Sequence, residues 1–178
     1  HCLANLGRSF ADMNGQREKT STGARWFVRP GRREDCAAVH ALIVELAVYE
    51  REPEAVEVTV GDLEADGFGP SAIFDLFVAE EAGEVIGMAL VYEKYSTWKG
   101  RCLYLEDFVV TAARRGEGIG QALFAAVHDL AVSRGVRRLE WQVLEWNAPA
   151  IRFYEQVGAD LDPEWLNGRI VFKVPASF

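Results

Sequence analysis

The chain is predicted to be an α/β domain in which a mixed central sheet carries helices on both faces. Three observations predict it. Helical patterns come first, and the centre of the chain then reads strand, strand, helix, strand, helix, strand. Apolar residues repeat with period two in the strand segments and at i, i+3, i+4 spacing in the helical ones. Between the longest strand and the strongest helix lies Arg115-Gly116-Glu117-Gly118-Ile119-Gly120, with three alternate glycines.

Taken in order, residues 26–29 (Trp-Phe-Val-Arg) read as a strand stopped by Pro30. Residues 34–50 place Val39, Leu42, Ile43, Leu46 and Tyr49 on one helical face. Thr59, with Asp62 three residues later, signals the capped start of a short helix ending near Gly67 to Gly69. Residues 74–80 and 85–93 are strand-like, and Ala82-Gly83 between them predicts a hairpin. Residues 100–110 form a longer strand leading into the glycines. Residues 118–134 form a helix with Gly135 just past its end. Leu139, Trp141 and Val143 alternate as a strand. Pro149 fits the first turn of the next helix, where its missing N–H is harmless, and Gly158 ends that helix. Residues 169–174 predict a final strand. Residues 1–25 are polar, carry no apolar run of a secretory signal, and read as a disordered N-terminal extension; residues 26–178 form the single domain.

Bulk properties narrow the function. A length of 178 residues suits one domain with a real core, and 49% apolar with 26% charged residues is ordinary for a soluble protein. A net charge of −8 argues against nucleic acid, which demands a basic face, and leaves either a cationic partner or plain solubility as its reason. No apolar run approaches the ~20 residues that span a bilayer. Cys2, Cys36 and Cys102 have no paired spacing, and His1, His40 and His128 are dispersed, so neither a disulfide framework nor a metal site is expected. A reducing cytoplasm fits.

The glycine turn carries the chemistry. A strand that turns through glycines into a helix presents unpaired N–H groups at the positive end of a helix dipole, and small residues let a diphosphate approach them. A P-loop is excluded because no lysine follows, and the dinucleotide fingerprint is excluded because its third glycine would fall on Gln121 or Leu123. What remains resembles the acetyl-coenzyme A loop of the GNAT superfamily of N-acetyltransferases. The stretch from Glu145-Trp146-Asn147 through Phe153-Tyr154 to Gly158 resembles that family's second signature. Tyr104-Leu105-Glu106-Asp107-Phe108, Glu45-Leu46-Ala47 with Tyr49-Glu50, and Asp66-Gly67-Phe68-Gly69 resemble its spermidine/spermine (diamine) and thialysine acetyltransferases. The likeness runs from about residue 27 to 173. Two departures stand out. Residues 80–84 are much shorter than the loop of the vertebrate-type polyamine enzymes, and residues 163–168 keep Trp165 without an acidic run.

The resemblance implies a sheet of six to seven strands with a splayed strand pair holding acetyl-coenzyme A, no metal, and a homodimer. It assigns the cofactor contacts to Phe108, Val109 and Val110 on the splayed strand, and to Arg115, Gly116, Glu117, Gly118, Ile119, Gly120 and Gln121 in the loop. Asn147, Ala150 and Tyr154 complete that set. Tyr154 is implied as general acid for the leaving thiolate; by its position alone it is equally a core aromatic beside Phe153. Glu106 is implied as base and amine partner, although a strand-edge carboxylate explains it as well. Alternation puts Glu106 and Asp107 on opposite faces, so only one of them enters a site directly. Tyr49, Glu50 and Trp98 match the family's substrate-facing positions, or else pack a helix end and a loop. Arg114 and Arg115 either supply cations to the phosphates or are simply solvated. The expected activity is acetyl transfer to a small diamine, polyamine or lysine-like amine. The alternatives are a protein or aminoglycoside acetyltransferase, or a silent acyl-coenzyme A-binding module.

Overall fold

The computed structural model describes residues 26–172. The extension expected at 1–25 and the last two residues of the strand expected at 169–174 lie outside the described residues. Two compact units divide the chain between Gln142 and Val143. The first carries a five-stranded sheet in the order β1 to β5: Trp26–Pro30 (β1), Asp75–Glu81 (β2), Glu84–Ser96 (β3), Gly100–Val110 (β4) and Leu139–Glu140 (β5). Neighbours are antiparallel except β4 and β5, which run parallel, so the sheet is mixed as expected.

Pro30 is tolerated inside β1 because β1 is an edge strand with only β2 beside it. Ala82 and Gly83 both take positive φ (51° and 86°), the two-residue turn whose twist matches paired strands. The helices are Cys36–Tyr49 (α1), Val60–Phe68 (α2) and Ile119–Ser133 (α3). The Thr59 signal is realised as a capping box: the Asp62 N–H donates to Thr59 Oγ1 (3.2 Å) while the Thr59 N–H donates to Asp62 Oδ2 (2.8 Å). Residues 33–35 form a 3-10 turn instead of the first turn of α1. Asp35 there is buried and takes a bidentate bond from Arg29 of β1 (2.7 and 2.9 Å), tying strand to helix.

Both faces of the sheet are covered. Leu76, Val78, Met88, Leu90 and Val109 pack with Cys36, Val39 and Leu42 of α1 and Leu63 of α2. On the other face, a side chain at Gly87 would meet Leu123 of α3 at 3.2 Å, and Phe108 stacks edge-on against Phe124 of α3 with centroids 6.2 Å apart. The period-two pattern therefore assigns each strand residue to one helix layer.

The strand count differs from expectation: the described residues form five strands, not six to seven. The predicted strand at 139–143 holds only Leu139 and Glu140, and residues 169–172 form none. A strand exists through ladder bonds with a neighbour, and alternation alone does not supply one. β5 meets β4 at two positions, and Ile170, Val171 and Phe172 stay exposed. The second unit contains one helix, Ala148–Gln156 (α4), with Pro149 in its first turn as predicted. Among the described residues no helix is long and apolar enough to cross a membrane.

Candidate active site

The cradle sits where β4 passes through a 3-10 turn (Ala112–Arg114) into α3. Gly116 and Gly118 adopt φ of 82° and 85°, in the left-handed region that favours glycine. A Cβ at Gly116 would enter open space, and one at Gly118 would meet only Gln121 and Trp26 at 3.7 Å and beyond. Among the described residues, the N–H groups of Gly116 to Gln121 donate to no backbone carbonyl. The first bond of α3 runs from the Ala122 N–H to the Gly118 carbonyl at 3.1 Å. Open space above left-handed glycines, lined by unspent amides at a helix start, fits a diphosphate. Upstream, β5 pairs only with Leu103 and Tyr104, so the sheet gives the 105–110 half of β4 no registered partner on that side. Phe108, Val109 and Val110 lie in this half, and Val109 also belongs to the core below α1.

The two arginines differ in role. Arg114 is fully engaged, bonded to Glu81 of β2 and to Glu117 in the loop. Arg115 donates from Nε to the Val110 carbonyl (3.0 Å) and lies 5.1 Å over the Tyr49 ring. That contact ties the end of α1 to the cradle, and Tyr49 becomes a support for Arg115.

The carboxylates on β4 are arranged differently from the alternation rule. Leu90 faces Asp107 across the β3–β4 ladder and Val91 faces Leu105, so Glu106 is the extra residue of a β-bulge. The bulge reverses the parity of the strand. Asp107 shares a face with Leu90, the α1 face, where period two would have put it with Leu105 on the α3 face. Glu106 also meets the α1 side, because Tyr92, which lies opposite Tyr104, hydrogen-bonds to it. Glu106 and Asp107 therefore act on one face, and the expectation of opposite faces is corrected. Burial pushes the Asp107 carboxyl up to about 6, with the charges of Glu106 and Glu50 adding to the rise. Burial also raises Glu50, at the C-terminal end of α1. Burial, the Glu106 charge and the Glu106 bond push the Tyr92 phenol up to about 12. A buried carboxyl with two carboxylates in electrostatic reach is costly, and shifted acids gather at working sites.

Trp98 is not brought to this cluster. It sits at the tip of the β3–β4 hairpin, 80% exposed, and the six residue steps from Gly100 to Glu106 span roughly 20 Å of strand. In the second unit, Asn147 caps α4, its Oδ1 accepting from the Ala150 N–H at 3.3 Å. Asn147 and Ala150, both expected among the cofactor contacts, meet in this cap. Tyr154 is buried (6% exposed) with its ring 5.4 Å from that of Phe153.

Sequence reasoning passed over Asp107 and the tie of Arg114 to Glu81. The signal for Asp107 was present in the Glu106-Asp107 pair, but a bulge has no composition of its own. A further contact, Glu45 of α1, accepts from Thr111 Oγ1 (3.1 Å) and the Ala112 N–H (2.9 Å), anchoring the entry to the cradle.

A mixed α/β fold whose main strand ends in an amide-lined glycine turn suits a protein that binds a diphosphate-bearing co-substrate. The chain belongs to the Acetyltransferase (GNAT) family, whose profile matches residues 38–159, and it is an acetyltransferase. The family uses acetyl-coenzyme A as co-substrate. Among similar proteins, thialysine N-epsilon-acetyltransferase of Bos taurus is 39% identical over 141 residues, 75% of this chain and 83% of that protein. The protein of the same name from Mus musculus is 37% identical over 153 residues, 80% of this chain and 90% of that one. Among solved structures, an aminoglycoside acetyltransferase from an uncultured soil metagenomic sample, in complex with trehalose, superposes with a TM-score of 0.69. It covers 83% of this chain and 97% of that chain at 16% identity, a likeness of fold.

The cradle makes a paired prediction. Gly118→Ala forces an alanine into φ near 85°, costing about 1–2 kcal/mol, and puts a methyl group where the diphosphate is expected. Gly120 has ordinary helical geometry, and a Cβ there makes normal contact with Phe108 at 3.6 Å. Gly120→Ala should therefore gain about 0.5–1 kcal/mol of stability. Calorimetry should show weaker coenzyme A binding in the first variant and unchanged binding in the second. Equal affinity in both would remove the diphosphate from this loop.

Proposed function

We propose that the protein acetylates a primary amine of a small diamine, polyamine or lysine-like amino acid such as thialysine, using acetyl-coenzyme A. The observation that carries this reading is the bulge that turns Glu106 and Asp107 toward the face where Glu50 ends α1. A substrate with two amines satisfies such a cluster: one carboxylate holds the distal ammonium, and another accepts the proton that the attacking nitrogen sheds. The names of the bovine and mouse relatives support the same acceptor class.

In this reading the amides of Gly116 to Gln121, the Arg115 guanidinium and the 108–110 strand hold the co-substrate, and the family resemblance alone adds Asn147 and Ala150. The bound thioester supplies the acetyl group. Glu106, directly or through water, takes the proton from the amine, and the Tyr154 phenol protonates the leaving thiolate; a phenol near ~10 suits that exchange. Tyr49 and Glu50 border the acceptor's approach. Trp98 joins only if the hairpin tip of one copy reaches another, so the homodimer belongs to this proposal; light scattering that returns the 19.8 kDa mass of a monomer removes both.

The deciding experiment is an acetylation screen over thialysine, lysine, spermidine, a monoamine and an aminoglycoside, read by thiol release across pH. Activity should rise with pH as the amine deprotonates, and thialysine, the weaker base, should exceed lysine near neutrality. Equal efficiency for the monoamine and the diamines would overturn the carboxylate reading. Turnover confined to the aminoglycoside would reassign the acceptor.

A further inference from the structure

The cradle contains a residue that works against its ligand. Glu117 lies between Gly116 and Gly118, so a carboxylate borders the amides expected to receive a diphosphate. Like charges at that distance repel, and an unopposed Glu117 would weaken binding. The structure shows what opposes it. Arg114 donates from Nε to Glu117 Oε1 at 3.0 Å and from Nη2 to Glu117 Oε2 at 2.9 Å. The same guanidinium reaches back to Glu81 at the end of β2, with Nη2 to Oε1 at 2.9 Å and a second bond from Nη1. All three of its nitrogens are thus committed. Arg115, in contrast, makes one side-chain hydrogen bond among the described residues, from Nε to the Val110 carbonyl, beside its contact with the Tyr49 ring.

We propose that Arg114 is a positioning residue for the co-substrate: it neutralises Glu117 and latches the glycine loop to β2 through Glu81, which leaves Arg115 as the cation that meets the phosphates. The inference rests on the cradle reading above. The entry to the loop is then tied twice, by Glu45 of α1 on Thr111 and Ala112 and by Glu81 of β2 on Arg114. Arg114 and Arg115 against Glu117 leave the loop one net positive charge, and loss of Arg114 would leave it neutral.

The test compares coenzyme A with pantetheine, which shares the thiol arm and lacks the diphosphate. Arg114→Ala should weaken coenzyme A binding about tenfold, because Glu117 is then unopposed beside the diphosphate, and leave pantetheine binding unchanged. Adding Glu117→Gln to that variant should recover most of the loss, because the charge to be opposed is gone. Glu117→Gln alone keeps the Arg114 charge and should bind coenzyme A at least as well as the parent. Steady-state kinetics should show the effect in the KM for acetyl-coenzyme A with kcat preserved. Equal weakening of coenzyme A and pantetheine, or no recovery in the double variant, would make Arg114 a fold-stabilising ion pair and overturn the proposal. Unchanged coenzyme A binding in Arg114→Ala would do the same while the cradle stands. Failure of the parent itself to bind coenzyme A would overturn the cradle and this inference together.

Discussion

Asp107→Asn should make the protein more stable at pH 7, by an amount on the order of 3 kcal/mol, and a poorer acetyltransferase. Burial and the charges of Glu106 and Glu50 raise the Asp107 carboxyl from 3.8 to about 6. Below pH ~4 the folded and unfolded states both hold its proton, and the shift costs nothing. Between ~4 and ~6 the unfolded chain loses the proton first, so stability falls as pH rises through this window. Above it the penalty is complete: about 1.4 kcal/mol for each unit of a shift near two units. Asparagine cannot ionise and escapes the penalty. Asp35, held below the usual range by Arg29, has the opposite dependence, losing stability as pH falls, but it is common to both proteins. The difference between variant and parent therefore isolates Asp107. Urea denaturation at pH 4.5 and 7.5 should show the full stabilisation at the higher pH and about 1 kcal/mol at the lower, where the unfolded chain has begun to lose the proton. A difference independent of pH would mean that Asp107 does not carry a buried charge.

The same variant should lose activity. A site that keeps a destabilising charge at rest does so for a cation that relieves it. With the asparagine, kcat/KM for a diamine should fall about tenfold or more, and for a monoamine much less. Glu106→Gln should also lower diamine efficiency and, by removing a neighbouring charge, bring Asp107 back toward its ordinary range. Parent-like efficiency in both variants would leave the cluster without an acceptor role.

Tyr154→Phe has the other large expected effect. The substitution keeps the ring that packs 5.4 Å from Phe153 and deletes only the hydroxyl. If that hydroxyl protonates the departing thiolate, kcat should fall about tenfold or more while coenzyme A affinity stays within about twofold. A loss seen mainly as weaker binding would make the hydroxyl a binding group. Unchanged turnover, with chemistry shown to be rate-limiting by single-turnover kinetics, would reduce Tyr154 to packing.

Much of this molecule follows from local chemistry. Thr59 and Asp62 cap α2 through bonds three residues apart, Gly135 follows α3 in the left-handed region, and Ala82-Gly83 turns the β2–β3 hairpin. These are short-range events, decided by side chains and backbone that are neighbours in the chain, so their residues could be read in order. The cradle is legible for the same reason: strand, glycines and helix start are contiguous, and they bring their own amides. The sequence by itself therefore determined the element order as far as α4, the mixed sheet and the passage from strand through glycines into helix.

What only the tertiary structure decided depends on partners far apart in the chain. The bulge at Glu106 arises from the register of β4 against β3, and one added residue exchanges the faces of everything beyond it. Asp107 is raised because α1 brings Glu50 near and the fold removes water. Arg114 is occupied because Glu81, 33 residues earlier, ends β2 beside it. The short β5 and the exposed residues 170–172 were read as strands from alternation, which records which side chains are apolar and says nothing of whether a neighbour is there to bond. A charge in sequence has only a sign. Its hydration, its partners and hence its chemistry are set by what the fold places around it.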